Sequence, residues 1–256
     1  MLESLTLCMN ITRRNWAVYR KDLIANMSPS LADPAFIMVS LGLGLGSYLA
    51  SVQGMPYIRY LAPGLTVATT LFTSFFETSY GFYVRLTFEN VFKAMLTTPI
   101  GPGHVVAGEF IWVGLKGALM SLCVGIVLAC FGMMSNPWLL PLVSIMGFFT
   151  GIACGAIGLI ASGLVRNINQ FQTVYSFLIV PLYFLSGIFF PLDEMARPIR
   201  YLAECFPLVH GVRMAQAIFW ARDVPATLAV STAILILQCV VYGALAYRFI
   251  RRKLVS

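Results

Sequence analysis

The chain of 256 residues is 59% hydrophobic and only 11% charged. Soluble globular domains carry about a quarter charged residues, so that class is excluded. The formal net charge of +7 comes from seventeen Lys and Arg against ten Asp and Glu, and the basic residues cluster mostly at the ends of apolar runs; this placement points to anionic lipid headgroups and away from nucleic acid.

In chain order, the first predicted element is residues 10–26. Arg13, Arg14, Arg20 and Lys21 recur at i, i+1, i+7 and i+8, a basic stripe on one side of a helix, with Trp16, Tyr19 and Leu23 towards another. Such a helix is expected to rest on the membrane surface; a solvated basic tail is the alternative. No secretory leader pattern precedes it, so the first span is expected to do the targeting.

A membrane-crossing helix needs about 20 mainly apolar residues. Six stretches qualify: 35–52, 61–82, 105–131, 138–164, 171–190 and 225–247. The expected fold class is therefore an all-α membrane protein of six transmembrane helices, a single domain over 1–256. The pairs Gly42/Gly46 and Gly151/Gly155 mark spacings that permit close helix approach. Four of the six cysteines (Cys123, Cys130, Cys154 and Cys239) lie inside apolar runs and read as small buried hydrophobes.

Between the second and third stretches lies LTFENVFKAMLTT, 86–98. Phe88, Val91, Phe92, Met95 and Leu96 follow helical spacing, with Glu89, Asn90, Lys93 and Thr97 on the other face, which predicts one amphipathic helix in need of an apolar partner. Pro99, Gly101, Pro102 and Gly103 end it. Between the fifth and sixth stretches, 187–224 is moderately apolar and interrupted by Pro191, Pro198 and Pro207. Two short helices dipping into the outer leaflet are expected there, with a plain outer loop as the alternative.

With the N-terminus inside, Arg13, Arg14, Arg20, Lys21, Arg85, Lys93, Arg166 and the tail from Arg248 to Lys253 fall on the inner side. Arg59, Arg197, Arg200, Arg213 and Arg222 fall outside. This bias places both termini in the cytoplasm.

Three charges fall within the apolar stretches: Glu77, Glu109 and Lys116. Burying each costs several kcal/mol, so each needs a partner or water. Glu109 and Lys116 stand two turns apart, about 10 Å by helical rise, with Glu77 expected between them. A structural pair and a role in gating or substrate handling both remain open. The rings of 72–83 and 171–190 either pack together or line a path for sugars or amphiphiles. No phosphate-binding loop G-x-x-x-x-G-K-[ST] and no G-x-S-x-G turn occurs, and His104 and His210 fall on opposite sides. No catalytic or metal site is expected.

The ordered strings LADP (31–34), YLAPGL (60–65), FFETSYGFYVR (75–85), FKAMLTTPIGPGHVVAGE (92–109), LSGIFFPLDEM (185–195), PLVHGVR (207–213) and RRK (251–253) cover nearly the whole chain. Together they resemble the type-2 ABC exporter permeases, particularly the nodulation-factor (NodJ-like) permeases. The resemblance implies a surface helix carrying Arg13, Arg14, Trp16, Arg20 and Lys21. It also implies a coupling helix in which Phe88, Val91, Phe92 and Met95 dock on an ATPase, and two re-entrant helices before the last span. Phe189, Phe190, Pro191, Pro207, His210 and Arg213 would belong to the outer gate. No cofactor is expected on this chain; ATP and Mg would be handled by a separate ABC ATPase subunit. The other implied partners are a second copy of the permease and membrane lipids, in a bacterial inner membrane. A lipo-oligosaccharide or similar amphiphile is the implied cargo. A drug or polysaccharide exporter, an intramembrane enzyme and a membrane scaffold are the competing readings.

Overall fold

The computed structural model of the protein describes residues 2–44 and 51–255. Every regular element among them is helical, apart from one isolated bridge between Val52 and Met55. The helices are α1 (Leu2–Tyr19), α2 (Leu23–Leu43), α3 (Tyr57–Phe76), α4 (Phe82–Thr87), α5 (Val91–Leu96), α6 (Pro102–Cys130), α7 (Leu140–Leu164), α8 (Gln170–Val174), α9 (Val180–Phe184), α10 (Arg197–Glu204), α11 (Pro207–Trp220) and α12 (Val224–Val255). Three segments, Pro102–Cys130, Pro137–Leu164 and Val224–Leu254, are long and apolar enough among the described residues to cross a membrane. The first expected span, 35–52, lies partly outside the described residues, as does Gly46.

The bundle is organised around α3, which is buried along most of its length against α6, α7 and α11. Polar side chains in an apolar interior need hydrogen-bond partners, and two of its threonines find them one turn back. Thr69 donates to the Leu65 carbonyl at 3.0 Å and Thr70 to the Thr66 carbonyl at 3.1 Å. At Phe76 the helix passes into a π-helical turn, Glu77–Gly81, and continues as α4. The second expected stretch is thus one helical rod with a wide turn at its charged residue. The fifth is built alike: α8, a π-helical turn at Tyr175–Ile179, then α9. It ends at Phe184, so the expected run to 190 is not all helix: 185–191 is irregular and turns at Gly187, whose φ is +86°.

The α6–α7 hairpin is joined through small residues. A Cβ on Gly117 would stand 2.6 Å from the Gly147 carbonyl oxygen, so only glycine permits this approach. Gly151 meets the same seam at the Val113 carbonyl, and Ser121 closes it by donating to the Val143 carbonyl at 3.1 Å. The α12 helix packs on α7 and leaves Val230, Leu237, Val240 and Val241 exposed.

Three expectations change. The N-terminal helix starts at Leu2, not near 10, and Arg20–Asp22 turn the chain into α2, so Arg20 and Lys21 leave the helix that carries Arg13 and Arg14. The stretch 86–98 is not one helix. Asn90 adopts left-handed backbone (φ 53°), which Asn tolerates better than most residues, and separates α4 from the short α5. Cys130 is exposed, because it closes α6, whereas Cys8 and Cys154 are buried.

Gly117→Leu should reduce thermal stability by at least about 1–3 kcal/mol through overpacking. Gly103→Ala, whose Cβ would meet only Tyr247 at 3.7 Å, should be near neutral. Size-exclusion after a thermal ramp in detergent checks both.

Candidate functional site

The intramembrane charges meet in one hydrogen-bonded chain. Lys116 on α6 donates to Glu77 Oε2 at 2.6 Å, and Arg85 on α4 donates to Glu77 Oε1 at 3.0 Å. The other arm of the Arg85 guanidinium reaches Glu109 Oε2 on α6 at 2.8 Å. Asn15 on α1 donates to Glu109 Oε1 at 2.9 Å, and Arg14 donates to Asn15 Oδ1 at 3.1 Å. Glu109 is wholly buried, and Glu77, Arg85 and Lys116 are nearly so.

Two carboxylates here face two cations, so Glu77, Arg85, Glu109 and Lys116 balance to zero. That balance is what makes their burial affordable, since a buried ion survives only with paired charge and satisfied lone pairs. Arg85 suits the central place because its planar fork serves two acceptors at once. Glu77 therefore meets Lys116 as expected, but it reaches Glu109 through Arg85. Arg85 and Asn15 are members that the spacing of charges in the apolar stretches does not point to. A signal existed, because two acids against one base leaves a negative charge unpaid in an apolar stretch.

Local structure positions each member. The π-helical turn begins at Glu77 and advances the register so that Arg85, eight residues on, returns to it. α1 is seated on the first half of α6: Ile11 packs over Gly108, Thr12 donates to the Gly108 carbonyl at 3.1 Å, and the Tyr19 and Trp112 rings meet edge to face at 5.6 Å. Arg13 and Trp16 are exposed, while Arg14 is half-buried towards the ion chain. Lys116 also lies 4.8 Å over the Tyr19 ring, a contact that suits a partly desolvated ammonium.

Glu77 and Lys116 also line a cavity of about 730 Å³ between α2, α3 and the α8–α9 segment. Its walls include Phe72, Phe76, Tyr175 and Tyr183, and its polar lining adds Asn26 and Asp33. The rings pack against one another and also face the cavity. Phe72 meets Tyr183 edge to face at 5.1 Å and Phe76 lies 5.6 Å from Tyr175, so they pack α3 to the fifth segment while their remaining surface faces the cavity.

The residues expected to dock on an ATPase separate into two groups. Phe92 is 0% exposed and stacks on Phe82 at 4.6 Å, so it anchors α5 to the bundle and presents nothing outward. Phe88 is 62% exposed, Lys93 and Ala94 are exposed, and Val91 and Met95 are half-buried. The amphipathic pattern found this apolar face, but the partner for Phe92 is the chain itself.

At the other end, α10 and α11 form a corner. Arg213 donates to Glu204 Oε1 at 2.7 Å, Arg200 bridges Glu204 and Asp193, and His210 Nε2 lies 3.0 Å from the Glu204 carbonyl. The hydrogen bond from Arg213 holds the Glu204 carboxyl below its ordinary range. Phe189, Pro191, Pro207 and His210 are buried, and Phe190 is exposed. Tyr60 on α3 donates to the Gly187 carbonyl at 3.0 Å, tying the corner's approach to the central helix.

A helical membrane bundle with an internal charge chain, a cavity beside it and a short helix at the end of the charged rod is the setting for the comparisons. Residues 6–220 match the family model described as ABC-2 type transporter. The chain belongs to the ABC-2 type transporter family. It is 29% identical over 249 residues to Nodulation protein J of Rhizobium leguminosarum bv. viciae, covering 95% of this chain and 93% of that protein. It is 30% identical over 213 residues to Nodulation protein J of Bradyrhizobium diazoefficiens, covering 83% and 80%. The inner membrane transport permease YadH of Escherichia coli is 19% identical over 235 residues, covering 90% and 88%. This ABC-2 protein is the permease subunit of an ABC exporter, and its family implies an ABC ATPase partner.

Arg85→Met in this permease should be the most damaging single change in the ion chain. It leaves Glu109 with Asn15 alone, at about 3–5 kcal/mol for an uncompensated buried charge. Lys116→Met should cost less, because Glu77 keeps Arg85, and Arg85→Met with Glu109→Gln should recover part of the loss. Thermal unfolding of the four proteins in detergent gives the order.

Acidification should loosen the α10–α11 corner. Since the folded Glu204 titrates below its unfolded value, its stabilisation is present at neutral pH and is lost as pH falls through the depressed range. Alkylation of the exposed Cys205 across a pH series, normalised to Cys130, reads this.

Proposed function

We propose that the permease carries an amphiphile, in the manner of a lipo-oligosaccharide, out through a bacterial inner membrane. The observation that supports this most is the junction of the cavity with the ion chain: Glu77 and Lys116 belong to both. An acyl chain suits the ring-lined wall, and a hydroxyl- or amide-rich head suits the polar lining, where it can donate to carboxylates and accept from Lys116. Such mixed character favours an amphiphile over a polysaccharide without a lipid, which would leave the ring-lined apolar wall unmatched. The ion chain also argues against an intramembrane enzyme, since its acids and bases are occupied with one another.

In this reading the six stretches all cross the membrane, with both termini in the cytoplasm, and α1 lies at the inner surface where Arg13, Trp16, Arg20 and Lys21 meet lipid headgroups. α10 and α11 form the outer gate, with Phe189, Phe190, Pro191, Pro207, His210 and Arg213. Two copies of the permease work with two ATPase subunits, which bind the ATP and Mg.

The segment from Phe88 to Met95 docks on the ATPase, with Phe88 outward and Val91 and Met95 at the rim. Phe92 supports the segment from behind. Its stacking on Phe82 links α5 to the same rod that carries Glu77 and Arg85, so movement at the ATPase can reach the cavity through a rigid connection.

Placing an acid at Phe88 separates docking from folding. Phe88→Asp should yield a folded permease that loses most of its co-expressed ATPase on affinity purification, because docking interfaces concentrate energy in a few aromatic anchors. Phe92→Asp should fail to fold, since it buries an unpaired charge against Phe82. Undiminished ATPase retention by Phe88→Asp would remove the docking assignment.

A further inference from the structure

A π-helical turn leaves backbone carbonyls without their usual partners, and the turn at Glu77–Gly81 stands where the ion chain begins. Its carbonyls are served from another helix. The Ser162 hydroxyl near the end of α7 lies 2.9 Å from both the Thr78 and the Ser79 carbonyl oxygens, one proton shared between two acceptors. Ser162 is wholly buried.

The end of α7 has its own unfilled carbonyls, as any helix C-terminus does. Lys253, from the tail of α12, fills them. Its ammonium donates to the Ser162 carbonyl at 2.8 Å and to the Val165 carbonyl at 2.6 Å. A cation there also complements the negative end of the helix dipole. The same ammonium lies 4.6 Å over the ring of Tyr83 on α4, and the Tyr83 hydroxyl donates to the Arg166 carbonyl at 2.9 Å. Gly163 lets α12 lie this close, since a Cβ there would stand 2.6 Å from Phe249 Cβ.

We infer that Lys253 is a positioning residue: it fixes the end of α7, through Ser162 the turn that presents Glu77, and through Tyr83 the α4 helix that leads to α5. Composition alone reads Arg251, Arg252 and Lys253 as one basic anchor for lipid headgroups. The structure divides them, with Arg251 and Arg252 exposed and Lys253 turned inward over α7. An ammonium fits this place because it is compact and carries three donors, enough for two carbonyls and a ring face. The inference deepens the proposed reading, since the segment so held is the one assigned to the ATPase.

The test is amide hydrogen exchange on the full-length permease with its co-expressed ATPase in lipid nanodiscs. Lys253→Met should speed exchange about tenfold in residues 77–96, as expected for losing hydrogen bonds from a charged donor, and leave residues 140–155 of α7 as they were. Lys253→Arg, which keeps the charge and donors, should stay close to wild type. Arg251→Ala with Arg252→Ala should leave 77–96 unchanged. Should Lys253→Met not fold, Ser162→Ala is read at the same amides, with acceleration again expected. Unchanged exchange at 77–96, acceleration spread evenly over the chain, or the same effect from the Arg251/Arg252 pair would each overturn the assignment. The amides of residues 77–87 lie outside the docking segment, so they report on Lys253 whether or not the ATPase is retained, whereas Phe88→Asp reports on docking alone.

Discussion

A guanidinium held between two buried carboxylates is the constraint on which the arrangement of this permease depends. Arg85 joins Glu77 of its own rod to Glu109 of α6, while Lys116 and Asn15 complete the ligation of the two acids. Low dielectric makes each of these contacts strong and makes any vacancy costly, so the three elements that supply them cannot drift apart independently. α1, α3–α4 and α6 are thereby fixed at one level of the bundle. The neutral sum of the four charges allows this without a net ion in an apolar setting.

Around that level the structure handles backbone in a consistent manner. At two departures from regular helical hydrogen bonding, and at one regular helix contact, a side chain from a neighbour reaches a backbone carbonyl. Ser162 serves the turn at Glu77, Lys253 serves the end of α7, and Thr12 reaches the Gly108 carbonyl across the α1–α6 contact. Buried polar groups in an apolar surround permit few alternatives, because each unpaired one costs free energy comparable to a lost hydrogen bond. The departures themselves are local and useful. The turn at Glu77 brings Arg85 into register, and the facing turn at Tyr175 sets a ring against Phe72 and Phe76 across the cavity.

In the proposed coupling, transmission from an ATPase to that cavity needs stiffness as well as connection. Phe92 stacked on Phe82 gives the short α5 helix an apolar root in the bundle, which six residues could not provide by helix propensity alone. The left-handed Asn90 sets α5 at an angle to α4, so Phe88 stands clear at the corner.

Much of this was legible in the residues themselves. The apolar runs from Pro102, Leu140 and Val224 appear as long helices because twenty or more apolar residues have no cheaper way to satisfy their backbone than an internal ladder. The ABC-2 family was legible in ordered strings spread along the chain, and the three intramembrane charges announced themselves by their cost. The short helices of 197–220 were marked by prolines at their first turns. Other features were decided only by the tertiary structure. Arg85 looked like an inner-side charge because its partners lie one wide turn back and on another helix, and the π-helical register that brings it to Glu77 has no sequence signature. Phe92 and Phe88 look alike as apolar positions on one face, yet one is covered by Phe82 and the other is not. Lys253 reads the same as Arg252 in a basic tail until the end of α7 is placed beneath it. Periodicity and composition report what each segment must hide from water or expose to it; which neighbour does the hiding is set by contacts between residues far apart in the chain, and those exist only once the helices have packed.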